Sequence, residues 1–112
     1  GAIIISTPQD LALTDVIRGI QMFNKTGVKT LGLIDNMSYF KADDKKKYSI
    51  FGNSKVEKTA NDYNKKFLGE IPLSIDLRKS VDEGYPLTKA NPKHEISLIF
   101  NDIIKKFINE LK

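Results

Sequence analysis

Apolar and polar positions in the first third of the chain form two distinct patterns. Ala2–Ser6 and Lys29–Ile34 are short apolar runs, the first of them continuous and rich in β-branched residues. Runs of this kind predict strands that are buried on both faces of a parallel sheet. Between the two runs, apolar residues recur at helical spacing, at Leu13, Val16, Ile17, Ile20 and Phe23. Strand, helix and strand in this order predict one right-handed βαβ unit.

Both ends of the predicted helix carry boundary signals. Thr7 is expected to cap its N-terminus, Pro8 to occupy its first position and Asp10 to fall at the capping-box position. Gly27 is expected to end the helix as a left-handed C′ residue.

The middle of the chain predicts a loop, a helix and a third strand. Lys41–Lys47 is expected to form a solvated loop or hairpin tip, and a short apolar patch follows it at Tyr48–Phe51. A helix is predicted from about Asn53 to Asn64. Phe67–Leu73 is predicted to be a strand that Pro72 ends, because proline cannot donate to the ladder.

Two helices are predicted in the last third of the chain. Ile75–Asp82 is expected to be a short helix closed by Gly84. The clearest amphipathic helix comes last, with an apolar stripe at i, i+3 and i+4 spacing, made of Ile96, Ile99, Phe100, Ile103, Ile104, Phe107, Ile108 and Leu111. The width of this stripe favours packing on the sheet over packing on a partner.

The composition narrows the classes of function. A chain of 112 residues suffices for one domain with its own core. The 18 Lys and Arg exceed the 14 Asp and Glu by a net charge of +4, but the arginines are only Arg18 and Arg78. The concentrated basic footprint of a nucleic-acid-binding protein is therefore missing. The chain has no cysteine, which excludes disulfides, thiolate metal sites and cysteine catalysis.

Targeting signals are also missing from the sequence. No apolar run approaches the roughly 18 residues of a membrane span, and Gly1–Ile5 lacks the basic region of a signal peptide. We therefore expect no membrane contact. The absence of cysteine is compatible with a reducing compartment, and we expect a cytoplasmic location.

Five short motifs follow one another along the chain. They are Ser6-Thr7-Pro8-Gln9-Asp10 with Ala12-Leu13, Leu31-Gly32-Leu33-Ile34 with Asn36-Met37-Ser38, Ile50-Phe51-Gly52, Leu68-Gly69-Glu70-Ile71-Pro72-Leu73, and Asp82-Glu83-Gly84 with Pro86-Leu87. In this order and spacing they resemble the C-terminal half of the Mrp family, ATPases of the ParA/MinD group associated with iron–sulfur cluster delivery. The resemblance implies an incomplete three-layer α/β fold of the P-loop NTPase type, with a mainly parallel sheet and flanking helices. Residues 1–112 would be the C-terminal portion of a single ATPase domain.

The family's phosphate-binding loop has no counterpart here, since the sequence contains no G-K-[ST] tripeptide. In the family, the N-terminal half supplies this loop, the magnesium-coordinating residues and the catalytic groups. We expect such a half to be missing upstream, also because Ala2–Ser6 has the character of an interior strand. No catalytic or metal-ligating residue is assigned to this chain, which by itself is expected to be hydrolytically inactive.

The resemblance assigns nucleotide contacts to the strand ends. It implies that Asn36 reads the adenine edge, since a side-chain amide offers one donor and one acceptor. It also implies that Ile71-Pro72-Leu73 forms a backbone wall beside the base, and that Thr7 and Pro8 lie near the nucleotide and the dimer interface. By their chemistry alone, Asn36 equally suits a turn, Pro72 a strand end and Thr7 an ordinary helix cap.

The resemblance implies ATP as cofactor, with magnesium in the complete protein, but leaves an iron–sulfur cluster doubtful. Where the family often has a Cys-x-x-Cys pair, Ala42 stands at the first position and Lys45 near the second, and neither residue ligates iron. Asp43 and Asp44, beside three lysines, are expected to form a solvated tip. His94, the only histidine, is expected to be a surface or capping residue.

Three functions remain open at this point. The first is the C-terminal part of an ATP-hydrolysing iron–sulfur cluster carrier or assembly factor, acting as a homodimer and serving acceptor proteins. The second is a non-catalytic protein-interaction module derived from such a protein. The third is a partition or positioning ATPase of the ParA/MinD type. Ile50-Phe51-Gly52 and the run Leu68–Leu73 favour the first function over this third one.

Overall fold

Four strands and five helices follow one another in the computed structural model, which describes residues 1–112. The strands are β1 Ala2–Ser6, β2 Thr30–Lys41, β3 Lys47–Tyr48 and β4 Phe67–Leu73. The helices are α1 Asp10–Thr26, α2 Val56–Asp62, α3 Ile75–Asp82, α4 Leu87–Ala90 and α5 Glu95–Leu111. The predicted βαβ unit is confirmed, since β1 and β2 flank α1 and pair in parallel.

The central strand of the sheet is β2. It pairs in parallel with β1 on one side and with β4 on the other. The two-residue β3 pairs antiparallel with the end of β2, at Phe40 and Lys41. Because Phe40 also pairs with Leu73 of β4, β3 lies on the side of β2 that β1 occupies further back. The predicted α/β class with a mainly parallel sheet is confirmed.

Two apolar cores lie on opposite faces of this sheet. Successive side chains of a strand point to opposite faces, so Leu33 and Ile34 of β2 belong to different cores. The first core consists of Val16, Ile20, Leu33, Val56 and Ala60. The second consists of Ile34, Leu68, Ile71 and Ile103. Helices α1 and α2 therefore cover one face and α5 covers the other, which gives the three layers that the resemblance implied.

Helix α5 packs on the sheet with only one side of its apolar stripe. Ile96 and Ile103 are 5% exposed, whereas Ile104, Ile108 and Leu111 are between 45% and 58% exposed. Packing on the sheet is thus confirmed for the buried side of the stripe. The other side leaves an apolar surface open to solvent.

The predicted start of α1 is wrong. The helix begins at Asp10, its N-cap is Gln9, and no side chain caps it. Gln9 has extended backbone, with φ −64° and ψ 142°, so Thr7 and Pro8 remain in the connection that leads from the strand edge to the helix layer. Gly27 does end the helix as predicted, since its φ is 74° and its N–H bonds to the Phe23 carbonyl.

Strand β2 begins one residue later than predicted and continues seven residues past Ile34, to Lys41. Its polar second half remains part of the sheet because β4 pairs with it at Asn36 and β3 pairs with it at Lys41. The hairpin between β2 and β3 has its tip within the predicted loop Lys41–Lys47. Helix α2 is shorter than predicted, and α4 was not predicted.

Candidate functional site

The carboxyl edge of the sheet brings together the three segments that were assigned to a nucleotide. In the register of the parallel strands, Ser6 pairs with Asp35, and Asn36 pairs with Ile71. Thr7, Asn36 and Pro72 each lie directly next to one of these pairs or within it. Ligands of open α/β sheets bind outside the carboxyl ends of the strands, so this edge is the candidate site.

Asn36 is half-buried, and a local contact fixes its side chain. Its Oδ1 accepts a hydrogen bond from the Met37 N–H at 3.0 Å. Only the oxygen of a carboxamide accepts from an N–H, so the contact determines which way the amide points. The NH2 group of Asn36 is therefore the half of the amide that is available to a ligand. Met37 itself has a left-handed backbone, with φ 53°.

Pro72 and Leu73 line a cavity of about 410 Å³ at this edge. Pro72 is buried, Leu73 is 36% exposed, and β4 ends one residue after the proline. Phe40, Ile75 and His94 form other parts of the cavity wall. Asn36 is not part of that wall, so the two predicted contacts are neighbours at the sheet edge without sharing this cavity.

Thr7 lies on the far side of β2 from Pro72. It lines a separate cavity of about 270 Å³ together with Ile5 and Asp15. Pro8, next to it, is buried. The predicted contact residues therefore lie along one edge of the sheet but do not share a cavity. Thr7 lies on one side of β2, Pro72 and Leu73 lie on the other, and Asn36 belongs to β2 itself.

A polar cluster beside Asn36 was not foreseen from the sequence. Asp35 is 2% exposed, and its Oδ1 has no hydrogen-bond partner. Burial raises the pKa of Asp35; the hydroxyls of Ser54 and Ser38 partly offset this, while the charge of Glu70 adds to it. The signal in the sequence was a carboxylate directly after four buried residues, Leu31–Ile34.

The cluster lines a cleft of about 270 Å³ on the α2 face of the sheet. Ser38 Oγ donates to Glu70 Oε2 at 2.8 Å across β2 and β4. Tyr39 also lines the cleft, and burial first, then the charges of Glu70 and Glu95, raise the pKa of its hydroxyl. The Lys47 ammonium lies 4.5 Å from the centroid of the Tyr39 ring, a cation–π contact at the mouth of the cleft.

The described residues do not fit a resident metal ion. No three carboxylate or imidazole side chains lie close enough together to hold one. Both ring nitrogens of His94 are engaged, since Nε2 lies 2.9 Å from Asp76 Oδ2 and Nδ1 accepts from the Ile96 N–H. His94 is the N-cap of α5, which confirms the interpretation of it as a capping residue.

The hairpin tip is held by its own hydrogen bonds. Asp44 accepts from the Tyr48 hydroxyl at 2.7 Å and from the Lys46 N–H at 2.9 Å. These two bonds, that of Tyr48 first, lower the pKa of Asp44. Asp43 and Asp44 are exposed, which confirms the prediction of a solvated tip.

No helix of the chain combines the length and the apolar character that crossing a membrane requires.

The fold and its carboxyl edge define an α/β domain of the P-loop NTPase class. The cell division ATPase MinD of Pyrococcus furiosus superposes with a TM-score of 0.73 at 22% identity, over 100% of this chain and 44% of that one. A nucleotide-binding protein of Archaeoglobus fulgidus, solved in complex with ADP, superposes with a TM-score of 0.66 at 37% identity, over 75% of this chain and 35% of that one.

Residues 1–108 match the ParA family description "NUBPL iron-transfer P-loop NTPase", and the chain belongs to this family. It is 42% identical over 113 residues to the iron–sulfur cluster transfer protein NUBPL of Dictyostelium discoideum, covering 100% of this chain and 35% of that protein. It is 42% identical over 106 residues to an iron–sulfur cluster carrier protein of Aquifex aeolicus, covering 94% of this chain and 29% of that protein. The chain thus spans about a third of the length of these relatives.

Proposed function

We propose that this chain is the base-binding, C-terminal part of an ATP-binding and ATP-hydrolysing protein that carries iron–sulfur clusters to acceptor proteins. The observation that supports this most is the meeting of Thr7, Asn36 and Pro72 at one carboxyl edge, in a chain whose relatives are named for cluster transfer. The phosphate-binding loop belongs to the remainder of the protein, since no G-K-[ST] tripeptide occurs here.

In this proposal each strand end makes a different contact with ATP. The free NH2 group of Asn36 donates to an acceptor nitrogen on the adenine edge. Pro72 and Leu73 form an apolar wall beside the base. Thr7 and Pro8, across β2, lie toward the nucleotide and a second protomer of a homodimer.

Magnesium and the cluster are bound elsewhere in this scheme. The Mg²⁺ of the ATP complex is held by the phosphates and by residues outside this chain. The cluster is cargo, and its thiolates come from other residues or from a partner, since this chain has no cysteine. The proposed location is the cytoplasm.

The exposed side of α5 favours a second candidate, a protein-interaction module without ATPase activity. Ile104, Ile108 and Leu111 form an apolar surface on that side, and such surfaces mark interaction sites. ATP binding distinguishes the two candidates. The carrier must bind ATP, whereas the interaction module need not.

The test uses a protein of the relatives' full length that contains this chain, titrated with ATP and with GTP. We expect Asn36→Ala to weaken ATP binding about tenfold and to leave GTP binding unchanged. The Asn36 NH2 group can donate to N1 of adenine, whereas N1 of guanine carries a hydrogen and cannot accept this bond. The matched control is Asn101→Ala, at an exposed position on α5, which should leave both affinities unchanged. Equal ATP affinity of the Asn36→Ala and parent proteins would overturn the base-contact assignment, and absence of any ATP binding would favour the interaction module.

The chain by itself provides a second comparison. We expect it to bind ATP no more tightly than about millimolar, because phosphate and magnesium contacts dominate such sites. Micromolar affinity of the isolated chain in calorimetry would contradict the proposed division of the site.

A further inference from the structure

The ladder between β2 and β4 is interrupted beside Asn36. Asn36 pairs with Ile71, but the next pair is Phe40 with Leu73. Three residues of β2 therefore lie opposite the single residue Pro72 of β4. This is a bulge with two extra residues, and bulges aim side chains near functional sites.

Backbone hydrogen bonds hold the strands together poorly at this bulge. Pro72 has no N–H to donate to β2. On the opposite strand Met37 has a left-handed backbone, with φ 53°, which carries a conformational cost in a residue with a Cβ. A side-chain contact between the two strands at this point would therefore help to hold the bulge in one shape.

The Ser38–Glu70 hydrogen bond supplies this contact. Ser38 belongs to the bulge, Glu70 precedes the Ile71–Pro72 step, and their side-chain oxygens lie 2.8 Å apart. No other side-chain hydrogen bond joins β2 to β4. A hydroxyl that donates to a carboxylate makes a charge-assisted bond, which is stronger than a neutral one.

The Ser38–Glu70 bond lies close in sequence to the proposed nucleotide contacts on both strands. Ser38 is two residues after Asn36 in the chain, and Glu70 is two residues before Pro72. The bond therefore fixes the bulge that follows the Asn36 amide against the strand that carries the apolar wall. Ser38 is buried and Glu70 is exposed, so the bond joins a buried position of β2 to an exposed position of β4.

We propose that the Ser38–Glu70 hydrogen bond is a clamp that fixes the position of Asn36 relative to the strand of Pro72 and Leu73 and thereby sets the preference of the site for adenine. The proposal rests on the proposed function. Neither residue contacts the base; both are positioning residues that act through Asn36.

The test measures the ratio of ATP affinity to GTP affinity in the full-length protein. We expect Ser38→Ala and Glu70→Ala each to lower this ratio about fivefold, through weaker ATP binding at unchanged GTP binding. Ser38→Thr keeps the hydroxyl and Glu70→Gln keeps an acceptor oxygen, so both should restore the ratio to within about twofold. Ser80→Ala, which removes a buried hydroxyl bonded to Leu77, is the matched control and should leave the ratio unchanged.

The double variant Asn36→Ala with Glu70→Ala separates the clamp from the base contact. If the clamp acts through Asn36, removing Glu70 has no further effect once Asn36 is alanine. Independent, additive losses would overturn the clamp, and so would a failure of both conservative variants to restore the ratio. If Asn36→Ala itself has no effect, the proposed base contact fails instead, so the two failures are distinguishable. Because the Glu70 position is exposed, its truncation leaves the core intact and tests the bond even if Ser38→Ala lowers stability.

Discussion

Gly32 of β2 lies directly against Leu68 of β4. A Cβ at position 32 would lie 2.5 Å from Leu68 Cγ and 2.8 Å from Leu68 Cδ1. Leu68 is fully buried in the α5-facing core, so it has little room to move away. The glycine allows the leucine to fill the space over the sheet, where a larger residue would displace it.

We expect Gly32→Ala to lower the free energy of unfolding by about 1–3 kcal/mol, because it overpacks a closed core. The matched control is Gly19→Ala in α1, where the added Cβ would lie at an ordinary 3.6 Å from Ile4 Cδ1. This control should gain up to about 1 kcal/mol from helix propensity. Denaturant unfolding measures both, and equal destabilisation of the two variants would contradict the close-approach argument.

Asp35→Asn should stabilise the fold at neutral pH. Since burial raises the pKa of Asp35 from 3.8, the native state binds more protons than the unfolded state between that value and the raised pKa. Stability therefore falls as pH rises through this window and stays lower above it. Asparagine removes the titration, so its advantage in melting temperature should be present at pH 7, shrink as the pH falls through the raised pKa of Asp35, and be lost by about pH 3.8. Asp43→Asn, at an exposed position, is the control, and an advantage that grows toward acid pH would refute the assignment.

Tyr48→Phe should move the pKa of Asp44 back toward its ordinary value. The Tyr48 hydroxyl donates to Asp44 and is the main cause of the lowered pKa of that carboxyl. A lowered pKa means that this contribution to hairpin stability is present above the ordinary pKa and is lost as pH falls through the lowered one. A carboxyl NMR titration measures the change. Tyr85→Phe, also at an exposed tyrosine, should leave the Asp44 curve unchanged; a Tyr48→Phe curve that coincides with the parent curve would show that the bond is not formed in solution.

The isolated chain should retain no iron–sulfur cluster after anaerobic reconstitution with iron and sulfide. Cluster irons require thiolates or imidazoles, and the chain offers no cysteine and one histidine whose two nitrogens are already engaged. Iron and sulfide analysis with visible absorbance after desalting provides the measurement. Stoichiometric retention of both elements would require ligands that we have not identified.

The isolated chain should also self-associate through β1. This strand pairs only with β2, and Ile5 on it is 63% exposed. Unpaired strand edges with apolar side chains recruit other strands. Light scattering should show dimers or larger species with rising concentration, and Ile5→Lys should shift them toward monomer. Val81→Lys, at a 69% exposed position on α3, should not; a parent chain that stays monomeric at high concentration would rule out this edge.

Much of the fold could be predicted from local patterns. The apolar period placed Val16 and Ile20 in a core, and Gly27 marked the end of α1 because few other residues adopt φ 74° at low cost. The second half of β2 could not be predicted in this way. Asn36 and Lys41 remain in a strand because β4 and β3 pair with them. Strand β4 is distant in the sequence, and β3 has only two residues and therefore gives no strand pattern of its own.

The candidate site divides in the same way. The apolar runs indicated that Asn36 and Pro72 lie at strand ends, and the register places these two strand ends side by side. Their contact with a nucleotide came only from the family resemblance and stays a prediction. The role of Thr7 as a cap was wrong, because the connection to α1 is longer than a strand-to-helix signal indicates. The cluster around Asp35 also includes Ser54 and Glu70, which belong to two other segments of the chain. The local pattern indicates only a carboxylate that follows an apolar run, and it does not indicate these partners.

The self-contained hairpin tip has a consequence for how this family diverges. The tip is held by Asp44, Tyr48 and Lys46 among themselves, and all residues from Asp43 to Lys47 are exposed. Natural selection for a stable sheet therefore places little constraint on this segment. A few substitutions there could add or remove ligand side chains between one lineage and the next, while the inherited sheet stays intact. Descendants of one ancestor would then differ in the side chains of this tip before they differ in architecture.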